Sequence, residues 1–356
     1  MEVAEAAEIG IRSVWPECEV LKVAVADGGE GTVGAMMASL GGRSVEITVN
    51  DPLMRPVRAC YCIAGDTAFM EMSAASGLPL LSPEERDPMS ASTFGTGEMI
   101  LDAVRRGCRR FLVGIGGSAT NDGGTGMLTA LGVRFLDSEG RVLAGTGADL
   151  SAITTIDISG IDPAVAGSSF IVACDVDTPF CGPDGAACVF APQKGATPGQ
   201  VAVLDRGMRS FAELINDVLG TDISAMKGAG AAGGLGGAFH AFLGAELKKG
   251  VDMVLDATSF DELIAGADLV ITGEGKMDYQ TSMGKTAYGV LWRARRQGIP
   301  VAAVCGCVER CPEITDMGFA SVKTISEGLP LEEAMLPEVA AANVARAVES
   351  LVRSLS

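Results

Sequence analysis

The sequence is poor in the residues that build metal and cofactor centres: it holds a single histidine, His240, and no C-x-x-C pair. A zinc site is thereby excluded, since nothing in the chain has the ligand spacing it needs. The ten cysteines lack regular spacing, and even the close sets Cys181/Cys188 and Cys305/Cys307/Cys311 read as reduced thiols of a cytoplasmic protein. No basic and apolar leader opens the chain. The longest uncharged stretch, Gly228 to Ala245, carries seven glycines and is too short and too polar along its backbone to span a bilayer. Positive charge is scarce as well, 27 Lys and Arg against 45 Asp and Glu, for a formal net charge of −18. A surface that acidic repels nucleic acid and anionic lipid, so neither nucleic acid nor membrane is expected as a partner. Any anionic substrate must then be held by local donors and helix N-termini.

What is present suits an α/β protein. The 356 residues are 48% hydrophobic and include 47 glycines, clustered in short runs between apolar segments. Such a length exceeds one ordinary core and suits two domains. Val3, Ala7, Ile11 and Val14 share one face of an opening helix, and Leu21–Val25 reads as a strand. Ser44–Asn50, Val57–Ile63 and Ala68–Ser73 have the spacing of an antiparallel meander. Thr96–Gly107 and Gly199–Leu219 read as helices, and Phe111–Ile115 and Phe170–Cys174 as buried strands. Towards the end, strands at Leu269–Thr272, Val301–Cys305 and Val322–Ile325 alternate with helices at Thr286–Gln297 and Ala334–Leu351. That alternation predicts a parallel sheet with helices on both faces. The opening helix and strand lack partners of their own, so residues 1–42 and 257–356 are expected to form one discontinuous domain, with residues 43–256 inserted as a second α/β domain.

Two phosphate motifs fail on inspection. Gly284–Lys285–Thr286 ends like a P-loop, but Tyr279 stands where that motif needs glycine. Gly228 to Gly233 satisfies G-x-G-x-x-G, yet the polar segment Asp222–Lys227 before it is a poor buried strand. The stronger signal is one composition repeated at three strand ends: Asp27–Gly–Gly–Glu–Gly–Thr32, Gly116–Gly–Ser–Ala–Thr–Asn–Asp–Gly–Gly124, and Thr272–Gly–Glu–Gly–Lys–Met–Asp278. Any one of these is an ordinary turn. Three together combine glycines that let backbone N–H groups approach an anion with carboxylates able to hold Mg²⁺ or accept a proton. Phosphoryl transfer requires that inventory together with a cation. Lys194 and Lys285 are the candidate cations, and Lys285 has nothing local in sequence to neutralise it. His240, inside an apolar run, reads as a core histidine without a role.

Eight segments resemble the bacterial glycerate kinase family, in the family's order and across nearly the whole chain. They are VAVADGGEGT (Val23 to Thr32), EMSAASGL (Glu71 to Leu78), TFGTGEMI (Thr93 to Ile100), GIGGSATNDGGTGM (Gly114 to Met127), ACDVDTPFCGPDGAA (Ala173 to Ala187), PQKGA (Pro192 to Ala196), GAGAAGGLGGA (Gly228 to Ala238) and ITGEGKMDYQTSMGK (Ile271 to Lys285). The resemblance implies ATP-dependent phosphorylation of D-glycerate with Mg²⁺, usually to 2-phosphoglycerate. It also implies a flavodoxin/Rossmann-like parallel-sheet domain with a second, mixed α/β domain inserted. Members of the family usually begin with a further strand and loop of the form K-I-V-I-A-P-D-S-F-K-G-S-L-S-A. Here Met1 aligns with the helix that follows that loop, so Met1 is expected to be an internal methionine of a longer chain.

On this reading the ATP phosphates are held by Gly116, Gly117, Gly123, Gly124, Gly273, Gly275, Gly284 and Lys194. Lys285 neutralises charge on the transferring group. Asp278 and Asp175 serve as metal ligand or base, with Asp122 and Asp27 in reserve. Glycerate is gripped by loop N–H groups, Ser118 and Asn121, with Asp122 and Asp27 close by. The protein acts as a monomer or a homodimer. Two other readings stay open: a nicotinamide-dependent hydroxy-acid oxidoreductase, suggested by the G-x-G-x-x-G match, and an inactive glycerate-binding relative should Met1 be the true start.

Overall fold

A computed structural model describes residues 2–26, 31–279, 281, 285–309, 314, 316–326, 331–334 and 336–355. It is a mixed α/β structure with parallel sheet elements and divides into two units, Gly28–Met253 and Met1–Asp27 with Val254–Ser356. The sequence reading put the boundaries near 42 and 256. The Thr32–Leu40 helix lies in the continuous unit because it packs on two strands of that unit's sheet.

The continuous unit is organised by a six-stranded sheet in the order β1 (Arg43–Asn50), β2 (Pro56–Ala64), β3 (Thr67–Glu71), β4 (Arg110–Gly114), β7 (Ser169–Ala173), β8 (Glu246–Lys248). A separate antiparallel pair is formed by β5 (Arg134–Leu136) and β6 (Thr155–Asp157). The meander expected from sequence is β1–β2–β3, paired antiparallel. From β3 onward the pairing turns parallel, with Met70 opposite Val113 and Val113 opposite Val172. Parallel strands need covered faces, and the apolar runs supply them: Phe111 and Phe170 stack at 4.7 Å between ring centroids on neighbouring strands.

The longest helix, Pro198–Leu219, shows how local sequence and packing agree. Thr197 and Gln200 form a reciprocal capping box, Pro198 occupies the first turn, and Gly220 ends the helix in the left-handed region. Between these stops Leu204, Met208, Phe211, Ala212 and Ile215 repeat at helical spacing and are buried.

In the discontinuous unit β13 (Ser321–Thr324), β11 (Val301–Cys305) and β9 (Val270–Thr272) make a parallel sheet. Beside it, β10 (Lys276–Met277) pairs with β12 (Cys307–Val308), also in parallel. The Glu2–Val14 and Pro337–Leu355 helices pack together, with Ala6, Val344, Val348, Leu351 and Val352 joined to Ala302 of β11 in one core. One expected strand is corrected. Leu21–Val25 forms no strand, and Leu21 is 59% exposed, so apolar composition alone did not make one. The short polar β8 was not anticipated.

Gly124 has φ +79°, and a Cβ there would meet the Ala238 Cβ at 2.4 Å. Left-handed strain and overpacking therefore act together. Gly124→Ala is expected to cost about 2–4 kcal/mol in chemical denaturation of the full chain; an unchanged midpoint would contradict this packing.

Candidate active site

In open α/β sheets ligands lie beyond the carboxyl ends of the strands. In the continuous unit those ends are followed by the segments that the sequence singled out. After β4 the loop is first pinned to the neighbouring loop after β3. Leu78 N–H donates to the Gly117 carbonyl at 2.8 Å, and Ala119 N–H donates to the Ser76 carbonyl at 2.9 Å. Gly116 and Gly117 remain exposed on this bend, and Ser118 follows at 7% exposure.

The loop then turns inward. Asp122 is completely buried and accepts four hydrogen bonds, from Thr93 N–H at 2.8 Å, Thr93 Oγ1 at 2.7 Å, Gly124 N–H at 3.1 Å and Gly126 N–H at 3.1 Å. Its carboxylate thus satisfies orphan donors at the starts of two helices, Phe94–Arg105 and Thr125–Ala130. Burial pushes the Asp122 carboxyl up, against the pull of its donors. Asn121 is also fully buried, its Nδ2 3.2 Å from Met208 Sδ.

Lys194, on the Pro192–Lys194 turn, is only 1% exposed. Its Nζ donates to Ser118 Oγ at 2.7 Å and to the Thr120 carbonyl at 2.6 Å. Burial pushes the ammonium down to about 7, opposed by the charge of Asp122. Asp175, just past β7, is exposed, and its Oδ1 accepts from Gly250 N–H at 3.0 Å. That places a carboxylate at the positive end of the Gly250–Ala257 helix.

The discontinuous unit carries the other charged bend. Past β9, Gly273 lies so close to β11 that a Cβ would sit 2.2 Å from the Val304 carbonyl oxygen, while Gly275 is open. Asp278, 7% exposed, has Lys285 Nζ 3.3 Å from Oδ1 and Lys276 Nζ 3.5 Å from Oδ2. Lys276 also reaches Glu309 at 2.9 Å, and that hydrogen bond raises the Lys276 ammonium above its ordinary value. Thr281 ties the bend together: its hydroxyl accepts from Asp278 N–H at 3.2 Å and donates to Glu274 Oε1 at 2.6 Å. Lys285 then occupies the N-cap position of the Thr286–Arg296 helix, with no side-chain cap hydrogen bond.

The family model for the glycerate kinase family matches residues 1–356. The chain belongs to the glycerate kinase family. It is 44% identical over 359 aligned positions to a glycerate kinase of Bacillus subtilis (strain 168), covering 100% of this chain and 94% of that one. A glycerate 2-kinase of Escherichia coli (strain K12) is 46% identical over 307 positions, which cover 86% of this chain and 81% of the relative. Among solved structures, a glycerate kinase 2 homologue from Salmonella typhimurium LT2 superposes with a TM-score of 0.90 at 42% identity, covering 99% of this chain and 93% of that one.

Against this family frame several single-residue expectations are corrected. Asn121 and Asp122, expected beside glycerate, are fully buried, and Asp122 holds four donors of the protein itself. Gly123 and Gly124, expected to hold phosphate, are buried as well, packed on Phe211 and Ala238. Lys194 is not a surface cation for ATP but a buried donor to the loop. Lys285 is not left unneutralised, since Asp278 pairs with it. Asp27 and Gly284 lie outside the described residues. Lys276, Thr281 and Glu274 were assigned no role from sequence; the lysine and the acid stood in the quoted bend, and only the fold shows what they touch.

The oxidoreductase reading loses its motif. Gly228–Gly233 follows an irregular segment and no strand, and a Cβ on Gly233 would come within 2.1 Å of the Thr120 carbonyl oxygen. The glycines are there for packing. His240 Nδ1 lies 3.1 Å from the Ala245 carbonyl at the end of its helix. Among the described residues, every cysteine is free, no group of three His, Cys, Asp or Glu is placed to hold a metal, and no helix is long and apolar enough to cross a membrane.

Proposed function

We propose that this chain transfers the γ-phosphoryl group of ATP to D-glycerate, giving 2-phosphoglycerate and ADP. The observation that carries the reading is the Asp278 bend: a carboxylate flanked by two lysines at the carboxyl end of a parallel strand, with a helix starting just beyond. Family membership supplies the substrate.

Mg²⁺ suits the donors present. Asp278 and Glu274 offer hard carboxylate oxygens on one bend, where Thr281 ties the Asp278 backbone N–H to the Glu274 carboxylate, and Mg²⁺ needs only one or two protein carboxylates when phosphates complete its shell. Asp278 is the residue to hold it, with Glu274 as the second acid. When bound, the ion offsets negative charge on the phosphate oxygens. Gly275, open where a side chain would stand, leaves backbone room for phosphate, while Gly273 is packed on β11, and Lys285 balances charge as it develops on the transferring group. In the continuous unit, the exposed Gly116–Gly117 bend and the Ser118 hydroxyl grip the glycerate carboxylate. The hydroxyl of glycerate forms the new O–P bond, the bond to the ADP oxygen breaks, and the hydroxyl proton passes to a carboxylate.

A coupled assay of ADP release tests this. Glycerate is expected to drive ADP formation, with lactate and glycolate far behind. Release of ADP that ignores glycerate, or glycerate binding by calorimetry with no ADP at all, contradicts the proposal.

A further inference from the structure

We propose that Lys194 is a positioning residue that sets which way the Ser118 hydroxyl points, and thereby whether that hydroxyl donates to or repels the carboxylate of the substrate. This rests on the reading of Ser118 as a glycerate contact given above.

The argument is one of donors and acceptors. An ammonium group has three N–H donors and no acceptor, whereas a hydroxyl has one proton and two lone pairs. Across the 2.7 Å contact the ammonium must donate and Ser118 Oγ must accept. The Thr120 carbonyl, an acceptor only, takes a second N–H at 2.6 Å. The single Ser118 proton is therefore directed away from Lys194. Ser118 is also the member of this cluster that reaches the surface, at 7% exposure against 1% for Lys194 and 0% for Thr120 and Asn121. Its proton is thus available to an anion outside. The backbone is held for the same purpose: Gly117 and Ala119, on either side, are each bonded to the loop after β3.

Loss of the Lys194 proton reverses the polarity. A neutral amine has a lone pair that takes the Ser118 proton, so the hydroxyl turns its own lone pairs outward against a carboxylate. Burial brings that titration into the working range, since it pushes Lys194 down to about 7. Three segments lie against the 192–195 turn that carries this lysine. The facing loop contributes Asp122, whose charge favours the ammonium. The Ala186–Phe190 helix contributes Cys188, a thiol pushed up by burial. The segment against Gly195 contributes Arg86 and its neighbour Asp87.

The experiment is the KM for glycerate at saturating ATP, from about pH 6 to about pH 9, in the full chain. For the parent, KM is expected to rise at least about tenfold across that range while glycerate itself stays ionised. Lys194→Arg keeps the charge and the absence of an acceptor, and should flatten the rise. Ser118→Ala, a smaller side chain that the fold accommodates, should start from a higher KM and show no rise. Either variant retaining the parental rise overturns the proposal, and so does a flat parent. Glycerate-dependent ADP release with the rise unaltered in the variants defeats this inference alone. No glycerate-dependent ADP at any pH defeats the kinase reading and the inference with it.

Discussion

Asp278→Asn is expected to lower kcat for glycerate phosphorylation by about a hundred- to ten-thousand-fold. The substitution keeps the shape and one acceptor oxygen but removes the charge that faces Lys285 and Lys276. Nearly every task proposed for this bend depends on that charge, whether holding Mg²⁺, balancing the lysines or receiving a proton. The folded state depends on it much less. Both lysines are partly exposed, and ion pairs of that kind contribute little. The melting temperature should therefore stay within roughly 4 °C of the parent. Turnover near the parental rate would remove Asp278 from the chemistry. A collapse in stability would instead make it a residue of the fold.

Asp122→Ala reverses that pattern. It removes the common acceptor of Thr93 N–H, Thr93 Oγ1, Gly124 N–H and Gly126 N–H, all inside the protein. Buried donors without partners are costly, and the loss is expected to be about 3–5 kcal/mol, read by denaturant unfolding. It also withdraws the negative charge recorded near the buried Lys194. A variant as stable as the parent but without turnover would mean that Asp122 acts on the substrate after all.

These two aspartates mark how far the sequence could be read. Both stand in glycine-rich bends at strand ends, and composition alone treats them alike. Asp278 stands seven positions before Lys285, yet the sequence reading left that lysine without a local partner, and only the bend of the fold brings the two together. Asp122 differs only through Thr93, 29 positions away, whose amide and hydroxyl it accepts. Nothing local announces such a partner. Lys194 is the same case, since its contacts with Ser118 and Thr120 span 76 and 74 positions. A lysine in a P-Q-K-G turn looks solvated until the rest of the unit closes over it.

The elements followed the same logic. Apolar runs such as Phe111–Ile115 and Val301–Cys305 carry their own evidence for burial, and the helix expected over Gly199–Leu219 starts one residue earlier, at Pro198, behind the Thr197–Gln200 capping box. Leu21–Val25 had the composition of a strand yet is not one in the fold, while polar Glu246–Lys248 became one because β7 lay beside it. A strand is a property of a pair, and only its apolar half is written locally.

Phosphorus NMR of ATP and D-glycerate incubated with the full chain and Mg²⁺ bears most directly on the central claim. The expected result is loss of the γ-phosphate signal and growth of a phosphomonoester split into a doublet by the single C2 proton of 2-phosphoglycerate. Inorganic phosphate alone, an unchanged ATP spectrum, or a triplet from phosphate on the terminal CH₂ would contradict it.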